Sequence, residues 1–192
     1  ADMTLYGSLS QLTIPRRAVA PWWLAGGIDP SACVAAYQPK GASSYAASKV
    51  NLANPGMYNA VEGVAPAWDA MNGWTGGAGS YLDTNLIPAS NWGAIVRFIN
   101  ANNSGFLIAS KNTFLQILPF SGTSTSAWRY GGLPYETVEG NYTINGVLAV
   151  TKNAGYKNGY PVIAINSNNF SGANSMYLFA RNVPPAGSFY TG

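Results

Sequence analysis

Apolar and polar positions alternate most cleanly over 94–99. Ala94, Val96 and Phe98 fall on one face of a period-two pattern there, and Ile95, Arg97 and Ile99 fall on the other. That run closes the segment GSYLDTNLIPASNWGAIVRF (79–98), and later segments repeat its grammar. SGFLIAS, TFLQILPF, SAWRYGG, NYTING, GVLAVTKN, YPVIAIN and SMYLFARN are each short, apolar or alternating, and bounded by Gly, Pro, Asn or Ser. Short strands punctuated by turn residues predict an all-β chain folded as a sandwich or barrel.

Turn chemistry refines the plan. In Lys157-Asn158-Gly159, Asn-Gly marks a two-residue hairpin, because both positions tolerate positive φ. It joins a strand ending near Tyr156 to one over Tyr160–Ile165. Asn145-Gly146 predicts a similar turn before Val147. Upstream, residues 28–63 are rich in Ala and Ser, with Asp29-Pro30 placed as a helix start and Asn54-Pro55-Gly56 as a stop. One short helix is expected over 43–52, with a further helical turn near Ser31–Ala35. A short strand at Ala67–Trp68 and a glycine-rich turn then lead into the sandwich.

Residues 1–20 read as an N-terminal arm or edge strand, since Leu5, Leu9, Leu12 and Ile14 do not keep clean alternation before Pro15 and the Arg16-Arg17 pair. The remainder, 21–192, reads as one sandwich domain. Trp22 and Trp23 lie between Pro21 and Gly26-Gly27; on a strand, adjacent Trp side chains would point to opposite faces. A core or inter-subunit role is expected for them.

Composition narrows the function. The chain has 192 residues, ordinary in size for one all-β domain, and 47% of them are hydrophobic. Only 9% are charged, against roughly 25% in a typical soluble domain. Such a skin suits a protein packed against copies of itself or another assembly, and equally an extracellular sandwich with a neutral polar surface. The net charge of +3 forms no basic run beyond Arg16-Arg17, which argues against nucleic acid as a partner. No stretch reaches the ~18 apolar residues of a membrane span, and no signal-peptide pattern is present. The single Cys33 allows no internal disulfide and reads as a small core hydrophobe.

The sequence contains no histidine. Ser-His-Asp and Cys-His arrangements, histidine general bases and histidine-ligated metals are therefore all excluded. No glycine-rich loop ends in Lys-Ser or Lys-Thr to cradle phosphates. Neither catalytic residues nor a cofactor are assigned.

The phrases GSYLDTNLIP, NWGAIVRF, SGFLIAS, GVLAVTKNAGYKNGYPV, NSMYLFARN and FYTG, in that order, resemble a concanavalin A-like or laminin-G-like jelly roll. The lead-in CVAAYQPKGASSYAASKVNLANPGMYNAVEGVAPAWDAMNGW resembles that of such domains in tailed-phage and prophage structural proteins. The resemblance covers about Trp22 to Gly192 and implies a concanavalin A-like β-sandwich of antiparallel strands. It also implies a final strand after FYTG, supplied by another chain or by residues beyond Gly192.

Since the fold family includes glucanases, the acids need checking. Glycoside hydrolysis requires two carboxyl groups facing each other. The nearest pair, Glu136 and Glu139, lacks an intervening Asp, and its odd spacing puts the two on opposite faces of a strand. They read as a solvated loop pair. Asp69 and Asp83 flank the glycine turn and could supply hard oxygen ligands to calcium, but bonding to backbone N–H groups is the favoured reading, so no metal is assigned.

Glycan recognition needs aromatic platforms beside planar polar groups. Trp128-Arg129-Tyr130 before Gly131-Gly132, with Tyr135 and Trp92, is the best candidate lip, because glycines let a ligand approach backbone. Arg16, Arg17, Trp22 and Trp23 are the candidate assembly residues. The expected function is a non-catalytic virion or cell-surface structural protein. It would form a homo-oligomer or bind other surface-assembly subunits, and present loops to cell-surface glycans. The competing expectation is a purely structural decoration or fibre subunit that binds only protein, with glycoside hydrolysis a remote third.

Overall fold

The computed structural model describes residues 21–77, 79–101, 105–110, 115–121, 125–131, 136–138, 145–165 and 174–179, with backbone alone at 120–121 and 136–138. The N-terminal arm and Arg16-Arg17 lie outside the described residues. The chain forms two compact units, Ala1–Val34 and Ala35–Gly192.

In the first unit the described residues make two 3₁₀ turns, Trp22–Leu24 and Pro30–Ala32. The Trp pair therefore sits in a tight turn and not on a strand. Pro21 fixes the entry, and its carbonyl accepts the Leu24 N–H at 3.0 Å. The two indoles meet edge to face with centroids 5.6 Å apart, and Trp22 stays half exposed. Asp29 caps the second turn as its sequence context predicts, accepting the Ser31 N–H and O–H at 2.8 Å each. Burial pushes the thiol of half-buried Cys33 up in pKa.

The second unit begins with a lead-in held by one side chain. Asn51 is fully buried; its Oδ1 accepts the N–H groups of Ala36 and Ala53, and its Nδ2 donates to the Met57 carbonyl. This polar staple shortens the expected helix. Ser44 caps α1 (Tyr45–Ser48) through the Ala47 N–H, but the helix ends at Ser48, well before Leu52. An asparagine that ties three loop segments competes with the helical path.

The strands that follow are β1 (Val61–Val64), β2 (Ala67–Asp69), β3 (Gly73–Thr75), β4 (Tyr81–Asp83), β5 (Ala94–Phe98), β6 (Ile108–Ala109) and β7 (Leu115–Ser121). They continue with β8 (Thr125–Tyr130), β9 (Glu136–Val138), β10 (Gly146–Val150), β11 (Ala154–Lys157), β12 (Tyr160–Ala164) and β13 (Tyr177–Leu178). A seven-stranded sheet runs β1-β4-β13-β6-β7-β8-β9, and a four-stranded sheet runs β12-β11-β10-β5. A small β2–β3 hairpin stands beside them, and the paired strands are antiparallel throughout. Among the described residues the chain is all-β apart from short helical turns, as the alternation predicts. The Asn158-Gly159 hairpin forms where expected, with φ of 51° and 87°. Gly146 opens β10, and the Asn145 side chain accepts the Asn100 N–H at 2.8 Å.

Register sorts the large sheet into two rows. One row crosses the strands as Leu82, Leu178, Ile108, Ile117 and Trp128. Leu82, Ile117 and Trp128 are fully buried in it. The two sheets meet here: a Cβ on Gly155 of β11 would come within 2.9 Å of the Trp128 ring on β8. The opposite row reads Asp83, Tyr177, Ala109, Gln116 and Arg129. Strand β7 is buried continuously from Leu115 to Pro119, so the large sheet is covered on both faces at its centre. Phe106, Ala109, Leu118 and Ala127 form a second buried cluster.

Candidate functional site

The triplet Trp128-Arg129-Tyr130 lies on β8, where the period of two divides it. Trp128 and Tyr130 pair with Ile117 and Leu115 and turn into the sandwich. Trp128 is 0% exposed and Tyr130 3%. Neither offers a ring face to a ligand, so the expected glycan lip is corrected: these aromatics are core. The Tyr130 hydroxyl donates to the carbonyls of Ser90 and Trp92, at 3.0 and 2.6 Å, and burial raises its pKa. Trp92, half-buried, thus meets Tyr130 through its backbone. Arg129 faces the other way, its Nη1 donating to Oε1 of fully buried Gln116 at 3.1 Å. Tyr135 lies outside the described residues.

The acids are equally committed to structure. Asp69 closes the β2–β3 turn, accepting the N–H groups of Met71 and Asn72 and the Asn72 amide. These bonds, the Asn72 side chain first, hold its carboxyl below the usual value. Asp83 accepts the Asn85 N–H at 2.7 Å. Among the described residues no three acids, cysteines or histidines gather as metal ligands. Glu136 opens β9, and Glu139 lies outside the described residues.

Aromatic side chains gather around β4 and β13. Tyr81 and Tyr177 stack with centroids 4.7 Å apart and planes 15° from parallel. Gly63 on β1 lies against the Tyr81 ring, where any Cβ would overlap it. Tyr37 donates its hydroxyl to the Tyr58 carbonyl, and its ring contacts Trp74, whose Nε1 donates to Ser48 Oγ at 2.8 Å. Lys49 pairs with Glu62 and lies over the Tyr45 ring at 4.4 Å. The pairing with Lys49, then the Tyr45 hydroxyl, lower the Glu62 carboxyl pKa.

The accessible apolar surface lies elsewhere, on the outer face of the four-stranded sheet. Ile95 pairs with Ala149, Ala149 with Tyr156, and Tyr156 with Pro161, so one apolar row crosses all four strands. Arg97 and Val147 make a second row. Ile95 is 64% exposed, and Ile99, on the same side of the alternation, 52%. A shallow groove of about 490 Å³ runs here, lined by Ile95, Val147, Ala149, Thr151, Tyr156 and the Asn158-Gly159 turn. The sequence carried the signal: in 94–99 both faces of the alternation hold large apolar residues, whereas a half-solvated strand shows polar residues on its open face.

No protein-family model matches the chain, and no curated protein or solved structure matches it either. Among the described residues no helix is long and apolar enough to cross a membrane.

Proposed function

We propose that this chain is a non-catalytic structural subunit that assembles with protein through the outer face of its four-stranded sheet. The observation that carries the reading is the apolar row on that face, where Ile95 is 64% exposed. Single exposed hydrophobes are ordinary on soluble proteins, but a contiguous row lining a groove marks an interaction surface. The low charge of the whole chain supports the same reading. A seven-stranded sheet packed on a four-stranded one is the layering expected of a concanavalin-like sandwich, and a virion or cell-surface assembly is the setting in which we place it. Glycan display at Trp128 and Tyr130 loses its support, because both rings are interior.

Size-exclusion chromatography with light scattering on the full chain, over a range of concentrations, tests this. A discrete oligomer or a filament is expected. A monomer whose mass does not change with concentration overturns the reading.

A further inference from the structure

Three asparagines stand directly before a glycine: Asn72, Asn145 and Asn158. In such a pair no side chain crowds the glycine nitrogen, which can attack the amide carbon of the asparagine and makes that residue thermolabile. By sequence the three pairs are alike. The fold separates them.

Gly73 is the first residue of β3, buried and paired with Asp69. Beside it the Asn72 amide is held by the Asp69 carboxylate, Nδ2 donating to Oδ2 at 3.1 Å. That negative charge opposes the charge an attack would build on the amide oxygen. Gly146 is the first residue of β10 and is paired with Phe98. Each of these two glycines must leave its ladder before its nitrogen can turn on the neighbouring side chain.

Gly159 lies between β11 and β12, in the turn itself. Both it and Asn158 are exposed, and nothing stands within 4 Å of where a Cβ on Gly159 would sit. The Asn158 amide is also already polarised. Its Oδ1 accepts the Val147 N–H at 2.9 Å, so a backbone donor rests on the oxygen where negative charge would develop. The strands of this sheet and their turns, 94–98 and 146–164, hold Arg97, Lys152 and Lys157 and neither Asp nor Glu, so no acid of the sheet opposes that charge.

We propose that Asn158 is a site of self-modification, where the Gly159 nitrogen displaces the side-chain amide and leaves a mixture of aspartate and isoaspartate. The Gly159 N–H gives its proton to water as the nitrogen bonds to Cγ of Asn158. The Cγ–Nδ2 bond then breaks, and Nδ2 takes a proton and departs as ammonia. The resulting five-membered succinimide is opened by one water molecule. Opening at Cγ gives aspartate, and opening at the main-chain carbonyl gives isoaspartate, whose backbone path is one carbon longer. Nothing is oxidised or reduced.

The two products act differently. Aspartate keeps the oxygen that accepts the Val147 N–H, and it brings a carboxylate to the groove that this turn lines. Isoaspartate lengthens a two-residue connection, which then cannot hold Lys157 opposite Tyr160. The modification is independent of protein assembly on this face.

The full chain, kept in neutral buffer at physiological temperature and then digested for peptide mass mapping, tests the proposal. Asn158 should lose its amide at least about tenfold faster than Asn72 and Asn145, with both aspartate and isoaspartate formed. In urea, where the ladders are gone, the three rates should converge. Conversion of Asn72 or Asn145 as fast as Asn158 in the folded chain overturns the inference. So does an Asn158 that keeps its amide when folded and loses it in urea. A preference for Asn158 that persists unchanged in urea also overturns it, because neighbouring residues and not the fold would then select the site. Aspartate formed without isoaspartate would mean direct hydrolysis and would remove Gly159 from the reaction.

Discussion

A Cβ placed on Gly155 would lie 2.9 Å from Cγ and Cδ2 of Trp128 and 2.9 Å from Cγ2 of Ile163. The glycine in β11 lets the four-stranded sheet settle onto the indole of the large sheet. Gly155→Ala is therefore expected to destabilise by about 1–3 kcal/mol through overpacking. Trp128→Ala, which empties the space instead, should cost about 3–5 kcal/mol. The two sites touch, so Gly155→Ala combined with Trp128→Ala should cost less than the sum of the single changes. Urea unfolding of the four proteins measures this. Strict additivity would show that the sheets do not meet here.

Tyr130 is held at the end of β8 by the carbonyls of Ser90 and Trp92. Tyr130→Phe keeps the ring and leaves those carbonyls to find other donors, so a loss of about 1–2 kcal/mol is expected. The loss should appear in the urea midpoint with an unchanged slope. A neutral outcome would mean that the 84–93 loop is not anchored through this phenol.

The strands were legible because alternation and turn residues are local. Ala94–Phe98 and the Asn158-Gly159 hairpin follow from neighbours in the sequence. The role of Trp128 was not legible, because an aromatic before Gly-Gly looks the same from the sequence whether its strand faces solvent or another sheet. Only the pairing of β8 with β7, and the approach of Gly155, decide it. The helix over 43–52 was overestimated for a related reason: the buried bonds of Asn51 are made to Ala36 and Met57, one of them distant in sequence. The apolar outer face of the four-stranded sheet was half visible, since Ile95 and Ile99 share one side of the alternation with Arg97.

The Asn158-Gly159 turn offers a purely conformational test. Gly159 has φ +87° and nothing within 4 Å of where a Cβ would sit. Gly159→Ala thus meets no clash and should cost only the left-handed strain of about 1–2 kcal/mol. Asn158 adds a bond, its Oδ1 accepting the Val147 N–H at 2.9 Å, so Asn158→Ala should cost a similar amount by losing both that acceptor and its tolerance of positive φ. Thermal unfolding compares them. An unchanged midpoint for Gly159→Ala would mean that the turn relaxes at no cost.

Several phenols make the fold sensitive to alkali. Burial, then the Asp83 carboxylate, raise the Tyr37 pKa. Burial, then the hydrogen bond and charge of Glu62, push Tyr45 up to about 12. Tyr177 is raised by burial and by Asp83, and Tyr130 by burial alone. A group whose pKa is higher folded than unfolded stabilises the fold below the unfolded value and loses that contribution as pH climbs toward the folded one. Stability should therefore be level up to about pH 10, where an unfolded tyrosine ionises, and fall steadily above it. Asp83→Asn removes the charge acting on both Tyr37 and Tyr177, lowering their folded values, so its stability should decline less steeply with alkali. Thermal midpoints of the wild type and Asp83→Asn, taken between about pH 8 and pH 12, would show the two curves converging as pH rises. Parallel curves would mean that Asp83 does not act on those phenols, and a wild-type midpoint level to about pH 12 would mean that the phenols titrate alike in the folded and unfolded chain.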